Sequence, residues 1–247
     1  EYRRQRQMCI RDRYSDDPRV KIMPYHGEFD HSDMNNKAAK IAQGDVLLFL
    51  NDDIEVIEKN WLAEMIAQLS QPLRGVVGAR LLYPDRRVQH AGVILGFGGV
   101  AGHGHLGLNF NEKGYFGRLV VASEVSALTG ACMAMDHKLF DEIGGFSAKH
   151  LPRTFNDVDL CLKARRRGKI NIYTPLATLI HRESASLGGD LTLKQYKRLQ
   201  NEVGYMLEHW GLMQEDPYYN VNLALEGETY ALAFPPREVA SWVAAGF

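Results

Sequence analysis

Gly44-Asp45-Val46-Leu47-Leu48-Phe49-Leu50-Asn51-Asp52-Asp53 is the stretch whose reading decides the fold. Its apolar core is too short for a helix and is bounded by polar residues on both sides. A continuous run of this kind is the pattern of a strand covered on both faces, as in a parallel sheet. The run stops abruptly in Asn51-Asp52-Asp53. Open α/β sheets gather their ligands outside the carboxyl ends of such strands. Adjacent carboxylates in a half-buried position repel unless a cation or water compensates them. Hard oxygen ligands suit Mg²⁺ or Mn²⁺, which can bridge to substrate phosphates. The same residues also make an ordinary strand-ending turn, and local pattern alone leaves both readings open.

Working outward, strands alternate with helices, which predicts an α/β fold. Residues 20–23 read as a short strand, followed by a loop at Pro24-Tyr25-His26-Gly27. Ser32 can cap a helix to about residue 42, with Gly44 as its stop. Asn60 can cap a helix over residues 61–69, and residues 75–82 read as a strand. The glycine-dense stretch 96–107 predicts a loop. Residues 120–125 and 128–135 are strand-like, and a short helix from residue 137 ends near Gly144-Gly145. A helix opens at Asp157 or Asp159 and runs to Arg167, with Gly168 as its stop. Residues 170–173 and 178–180 read as two short strands, and residues 193–210 as a long amphipathic helix. The tail, rich in Pro, Tyr and Asn, is expected to wrap over the domain.

Composition narrows the function. The chain has 247 residues and a formal net charge of −1, so no global field favours nucleic acid or an anionic membrane. Arg165-Arg166-Arg167 reads as a solvated helix end. The three cysteines, Cys9, Cys132 and Cys161, form no CxxC pair; that excludes a disulfide framework and fits a reducing compartment. The apolar runs are too short to span a bilayer, and no secretory signal pattern is visible. Residues 1–13 are basic and aperiodic, and Met8-Cys9-Ile10-Arg11-Asp12-Arg13 looks like a translated sequencing-library transposon end. We read 1–13 as a non-native leader and leave it out of the fold.

Three further constellations can carry chemistry. In Phe155-Asn156-Asp157-Val158-Asp159-Leu160 two acids lie at a helix start, where the dipole favours them. Capping needs only one acid, so the other is available as a general base. His181 follows a short apolar strand and opens a polar loop; it reads as an ordinary polar contact or as the completion of a metal site. Gly96-Phe97-Gly98-Gly99-Val100-Ala101-Gly102-His103-Gly104-His105 superficially looks like a dinucleotide fingerprint. No helix follows it and no acid sits where one is needed, so dinucleotide binding is rejected in favour of a flexible active-site loop. A metal pair of His103 and His105 is the weaker reading.

Taken in order, these pieces resemble family-2 glycosyltransferases of the GT-A fold, in particular the bacterial branch assigned to O-antigen, rhamnan and other surface polysaccharides. Besides residues 44–53, the resemblance is carried by Trp61-Leu62, Val88-Gln89-His90-Ala91-Gly92, Leu128-Thr129-Gly130-Ala131-Cys132 and Gly144-Gly145-Phe146. It closes with residues 155–162 and His181-Arg182-Glu183-Ser184-Ala185-Ser186. It spans about residues 14–237, and the shared order is far more specific than any one piece. It implies a mixed, mostly parallel sheet flanked by helices, missing its first strands, with a C-terminal helix and tail. The division it implies is a partial GT-A-like catalytic domain over 14–190 and a C-terminal helix and wrapping tail over 191–247.

The resemblance also implies roles. Asn51-Asp52-Asp53 looks like the family's DxD-type motif, with Asp53 on the metal and Asn51 and Asp52 facing the nucleotide. His181 matches the histidine that completes the metal–diphosphate site. Asp157 matches the second acid of an ED-type motif, the base on the acceptor hydroxyl in inverting enzymes. Asn36, in Asn36-Lys37-Ala38, matches a position near the nucleotide, and Thr129-Gly130-Ala131 resembles the strand beside the donor sugar. Mg²⁺ or Mn²⁺ is the implied cofactor and a UDP- or dTDP-sugar the donor. The implied acceptor is a saccharide or lipid-linked saccharide, with no nucleic-acid partner. The implied location is the cytoplasm, at the inner face of the membrane, with peripheral membrane association through a longer parent protein.

Some positions depart from the family pattern. Asn51 replaces the first acid of DxD, leaving one carboxylate ligand, and Asn156 replaces the usual Glu of ED. Leu187 stands where similar sequences carry Arg. Nothing before residue 20 supplies the opening strands that hold the nucleobase, so an inactive fragment of such an enzyme is the first alternative. A metal-dependent hydrolase is the second, and it calls for a richer His/Asp ligand set.

Overall fold

The structure is a computed structural model that describes residues 14, 16–182, 192–211, 216–227 and 229–237. The expected leader over 1–13 and residues Glu183 to Leu187 of the polar loop lie outside the described residues.

Helix α1 (His31–Ile41) precedes strand β1 (Val46–Leu50), and a tight turn at 51–53 leads into β2 (Ile54–Val56). Helix α2 (Trp61–Leu69) then brings the chain to β3 (Arg74–Leu82), followed by β4 (Val88–His90), β5 (Val93–Leu95) and β6 (Ala101–His103). After β7 (Ser123–Val125) and β8 (Cys132–Asp136) come α3 (His137–Glu142), α4 (Asn156–Arg166), β9 (Ile170–His181) and α5 (Leu193–Trp210). The main sheet runs β1-β8-β3-β9-β2, with β4 added to β3 and β7 to β9, while β5 and β6 form a separate hairpin.

The sheet is covered on both faces, and strand alternation shows how. Leu47 and Phe49 of β1 and Met133 and Met135 of β8 point into one apolar layer, shared with residues of α1, α3, α4 and α5. Their neighbours Val46, Leu48, Cys132 and Ala134 point to the other face, under Met65 of α2. A period of two places successive side chains on opposite faces, so the unbroken apolar run of β1 does signal two covered faces. The α/β class and the mixed sheet are as expected; the share of parallel pairing is not. Among the described residues only β3 and β9 pair in parallel, and β1 pairs antiparallel with β8, Val46 opposite Asp136 and Leu50 opposite Cys132. An apolar run reports burial and carries no information on the direction of its neighbour.

Other expectations are corrected by particular contacts. Residues 20–23 form no strand; they have no ladder partner among the described residues, and Val20 and Ile22 are exposed. Asp30, not Ser32, caps α1: its Oδ1 accepts the Asp33 N–H at 2.8 Å. Ser32 is buried and donates its hydroxyl to the Leu151 carbonyl. The helix ends at Ala42 in extended backbone, so Gly44 is not its stop. Asn60 stands at the start of α2 without a side-chain bond to it. The two short strands expected over 170–180 are one strand, β9, kinked at Pro175, where the register against β3 shifts between Ala79 and Arg80. Thr178 Oγ1 donates to the Pro175 carbonyl there, the local repair that a strand proline needs. The strands after residue 120 are shorter than expected, and Thr129-Gly130-Ala131 is the turn entering β8. The long helix α5 has the bounds expected and opens on a capping box of Thr192 and Gln195.

Buried polar groups tie these layers together. Asn171 of β9 is fully buried; its Oδ1 accepts the Val76 N–H and its Nδ2 donates to the carbonyls of Ser126 and Cys161. Glu202 of α5 accepts the N–H groups of Arg153 and Thr154 through Oε1, which docks the helix beside the start of α4. Cys132 and Cys161 are buried free thiols, and burial pushes the Cys132 thiol up to about 12, which makes it unreactive. Among the described residues, no helix is long and apolar enough to cross a membrane.

Candidate functional site

The turn after β1 and the end of β9 meet because β2, the strand that follows the turn, pairs with β9, Ile54 opposite His181. This pairing sets Asp53 against His181: Asp53 Oδ1 lies 3.0 Å from His181 Nε2, with both side chains almost fully covered. His181 Nδ1 faces Gln89 Oε1 at 2.7 Å, so Nδ1 carries the proton and donates it to the amide oxygen. Asn51 Nδ2 reaches Nε2 at 3.3 Å. In that tautomer Nε2 presents a lone pair toward a carboxylate oxygen. Two acceptors this close are stabilised by a proton or a cation shared between them. A divalent cation is the option that also binds a diphosphate.

One carboxylate and one imidazole are donors that fit Mn²⁺ or Mg²⁺. Gln89 is the outer partner that fixes the imidazole tautomer. Among the described residues no group of three or more His, Cys, Asp or Glu side chains converges, so the richer ligand set that a hydrolase calls for is not found there. Asp52, next to Asp53, is exposed at the mouth of the turn.

The second acid stands close by. Asn51 N–H donates to the Ala131 carbonyl at 2.9 Å, which joins the end of β1 to the turn at 129–131. In the same turn Gly130 N–H donates to Asp157 Oδ2 at 2.8 Å, while Oδ1 accepts the Val158 N–H. A Cβ on Gly130 would come within 3.5 Å of the Asp157 Cβ, so the approach is close. A chain of hydrogen bonds through Asn51, Ala131 and Gly130 thus links His181 to Asp157.

The choice between Asp157 and Asp159 is resolved by burial. Asp159 is fully buried, paired with Lys163 at 2.8 Å, and accepts from Ser147 Oγ and Trp210 Nε1. It belongs to the core. Asp157 is half-buried in the same first turn of the helix. Phe155, just before α4, adopts φ +58°, a left-handed conformation that costs a bulky residue about 1–3 kcal/mol and concentrates at functional sites.

Asn36 is bonded to the loop after α3. Its Nδ2 donates to the Phe146 carbonyl and its Oδ1 accepts the Phe146 N–H, both at 2.9 Å. It clasps the loop Gly144-Gly145-Phe146 to α1. Thr129 and Gly130 do line the turn beside Asp157, and Thr129 N–H lies 3.4 Å from His90 Nε2.

Sequence reasoning gave no role to three residues here. Gln89 was only part of a matching string, and its contact with His181 bridges residues 92 positions apart. His90 is fully buried and its imidazole is held well below the usual range by burial, then by the charges of His103 and His181. His31, first in α1, packs beside Gly130, and burial lowers it although Asp157 pulls it up. Only the fold brings these residues to the cleft, so no periodicity could reveal them.

The family described as Glycosyl transferase family 2 matches residues 8–144. A protein of Sinorhizobium fredii (strain NBRC 101917 / NGR234), "Uncharacterized protein y4gI", is 44% identical over 220 residues, covering 89% of this chain and 24% of its own length. The O-antigen biosynthesis protein RfbC of Myxococcus xanthus is 34% identical over 228 residues, covering 90% of this chain and 17% of its own. The chain thus spans about a quarter or less of these curated relatives. Among solved structures, the crystal structure of GalNAc-T7 with UDP, GalNAc and Mn2+ superposes with a TM-score of 0.62 at 16% identity, over 82% of this chain and 38% of that one. At that identity the likeness concerns the fold.

Proposed function

Starting from glycosyl transferase family 2, to which this chain belongs, we propose that its cleft transfers a sugar from a nucleoside-diphosphate donor to a hydroxyl of a saccharide acceptor, with inversion. The observation that supports this reading is the pairing of Asp53 with His181, linked to Asp157 by hydrogen bonds through Asn51, Ala131 and Gly130. Asp53 and His181 would hold Mg²⁺ or Mn²⁺. A divalent cation bound there supplies Lewis-acid neutralisation of the diphosphate as it leaves. Gln89 holds the His181 tautomer, and Asn51 orients the same imidazole from the other side. Asn51, Asp52, Thr129 and Gly130 border the donor, and Asn36 shapes its surroundings through the Phe146 loop.

Asp157 takes the proton from the attacking hydroxyl. Gly130 and Val158 N–H groups each bond one of its oxygens, which fixes the carboxylate while leaving further lone pairs for the acceptor. The donor is a UDP- or dTDP-sugar and the acceptor a saccharide or lipid-linked saccharide of a cell-surface polysaccharide, assembled at the inner face of the membrane. The likeness to an O-antigen biosynthesis protein supports that setting.

Asp157→Asn tests the assignment. In the longest native polypeptide that carries these residues, kcat should fall by about 10²–10⁴-fold with nucleotide affinity unchanged. Unaltered turnover in a folded variant would remove Asp157 from the chemistry.

A further inference from the structure

One concavity is lined by none of Asp53, Asp157 and His181. It lies between the β5–β6 hairpin, the segment after it and the chain beyond α5, and has a volume of about 720 Å³. Its walls include Phe97, Tyr115 and Tyr230 together with His103, Glu112 and Lys113. That volume falls within the range of small-molecule sites, whose linings commonly combine apolar and aromatic side chains with a few polar groups.

The glycine-dense stretch exists to build this wall. A Cβ on Gly102 would come within 2.6 Å of the Phe97 ring, and one on Gly114 within 2.8 Å of the His105 ring. Rings thus lie directly on glycine backbone, which replaces the flexible loop expected from sequence. The tail supplies Tyr230, stacked on His105 at 4.0 Å and on Tyr115 at 5.0 Å between centroids. Three non-glycine residues here, His105, Phe116 and Tyr230, have φ between +48° and +68°. Strain of this kind persists where function over-determines the backbone. His105 is itself 2% exposed; its Nε2 accepts the Tyr115 N–H, so its proton is on Nδ1, and that atom has no hydrogen-bond partner among the described residues.

The polar side of the wall is ordered from the cleft. His90 Nε2 accepts from the N–H groups of Gly92 and Thr129, so His90 donates through Nδ1 to His103 Nδ1 at 2.9 Å. This leaves His103 with its proton on Nε2, as a donor of fixed tautomer. Through His90, Thr129 and Gly130 the cavity wall is contiguous with Asp157.

We propose that this cavity seats the acceptor saccharide, with a pyranose ring against the aromatic wall and its hydroxyls met by His103, Glu112 and Lys113. The inference rests on the transfer reading above and adds where the acceptor lies. A pyranose has an apolar C–H face that suits an aromatic ring and an equatorial belt of hydroxyls that suits neutral donors and acceptors.

Saturation-transfer NMR on this chain tests the proposal with the methyl pyranosides of glucose, galactose, mannose and rhamnose at millimolar concentration, one at a time. At least one should receive saturation, and Tyr115→Ala and Lys113→Ala should each weaken its binding, the first by about tenfold. Circular dichroism checks that both variants fold, and Lys113→Ala, at an exposed position, keeps the test open if Tyr115→Ala does not. Saturation of none of the four sugars, or equal binding in wild type and folded variants, would overturn the proposal. A parallel titration with UDP and Mn²⁺ separates the two readings. Nucleotide binding without sugar binding removes the cavity assignment alone. Sugar binding without nucleotide binding leaves the cavity and removes the transfer reading.

Discussion

The strand-end cleft and the ring-lined cavity meet at His90, yet they are built in opposite ways. The cleft consists of polar side chains set on the ends of strands, with Asp157 fixed by backbone N–H groups. Its residues add little to the core, and the sheet beneath them is complete without them. In the cavity the rings rest on glycine backbone and on one another, and the tail that covers them crosses from a distant part of the chain. There, stability and binding surface are the same atoms. The difference teaches where function and fold can be separated by mutation.

Asp159 gives the sharpest contrast with Asp157, two residues away on one helix. Removing its buried carboxylate leaves Lys163 without its counter-ion and Trp210 Nε1 without its acceptor. Asp159→Ala should therefore cost about 3–5 kcal/mol of stability, against less than about 1.5 kcal/mol for Asp157→Asn. Urea unfolding of the two variants measures this, and similar losses would erase the distinction between core acid and cleft acid.

The cavity should report itself through pH. Burial, then the charge of Arg118, lowers the His105 imidazole from an ordinary value of 6.5 to about 4. The unfolded chain then binds a proton that the folded one refuses. Stability is full above about pH 6.5 and is lost as pH falls toward 4, by on the order of 3 kcal/mol from this residue. His90 is depressed for the same reason and adds to the same loss. Unfolding midpoints at pH 7.5 and pH 5 should differ less in His105→Gln than in wild type; an identical difference would mean that His105 is not held neutral by the ring stack.

The smallest effect is expected at Gln89, which acts on the cleft through His181. Gln89→Leu should weaken Mn²⁺-dependent nucleotide binding by about 10–100-fold, with little change in stability. Isothermal titration checks it, and unchanged affinity would mean that the imidazole needs no outer partner.

What could be read in the sequence follows from the same contrast. Val46–Leu50 and the turn after it were legible because an apolar run ending in acids is a local pattern. So were α2 and α5, whose periodicity is local too. Asp53, Asp157 and His181 could be named in advance from the resemblance, but not the contacts that hold them, the pairing of β2 with β9 and the turn at Gly130. Strand direction was illegible because burial does not encode it. Gln89, His90 and His31 were illegible as site residues because they reach the cleft from separate elements. The glycine-dense stretch was read as a loop, whereas it contributes β6 and admits close neighbours, Phe97 of the same stretch at Gly102 and the Tyr230 hydroxyl at Gly104. The pairing of the β5–β6 hairpin, Val93 opposite His103, was hidden by those glycines.

The most direct test of the central claim, that Asp53 and His181 seat a cation for the donor diphosphate, is titration calorimetry with UDP and with dTDP. Wild type, Asp53→Ala and His181→Ala are compared, each with Mn²⁺ and with EDTA. One nucleotide should bind the wild type with Mn²⁺ and lose roughly a hundredfold or more in affinity with EDTA or in either variant. Equal affinity with and without Mn²⁺ and in both variants, or no binding of either nucleotide to the wild type, would contradict the account.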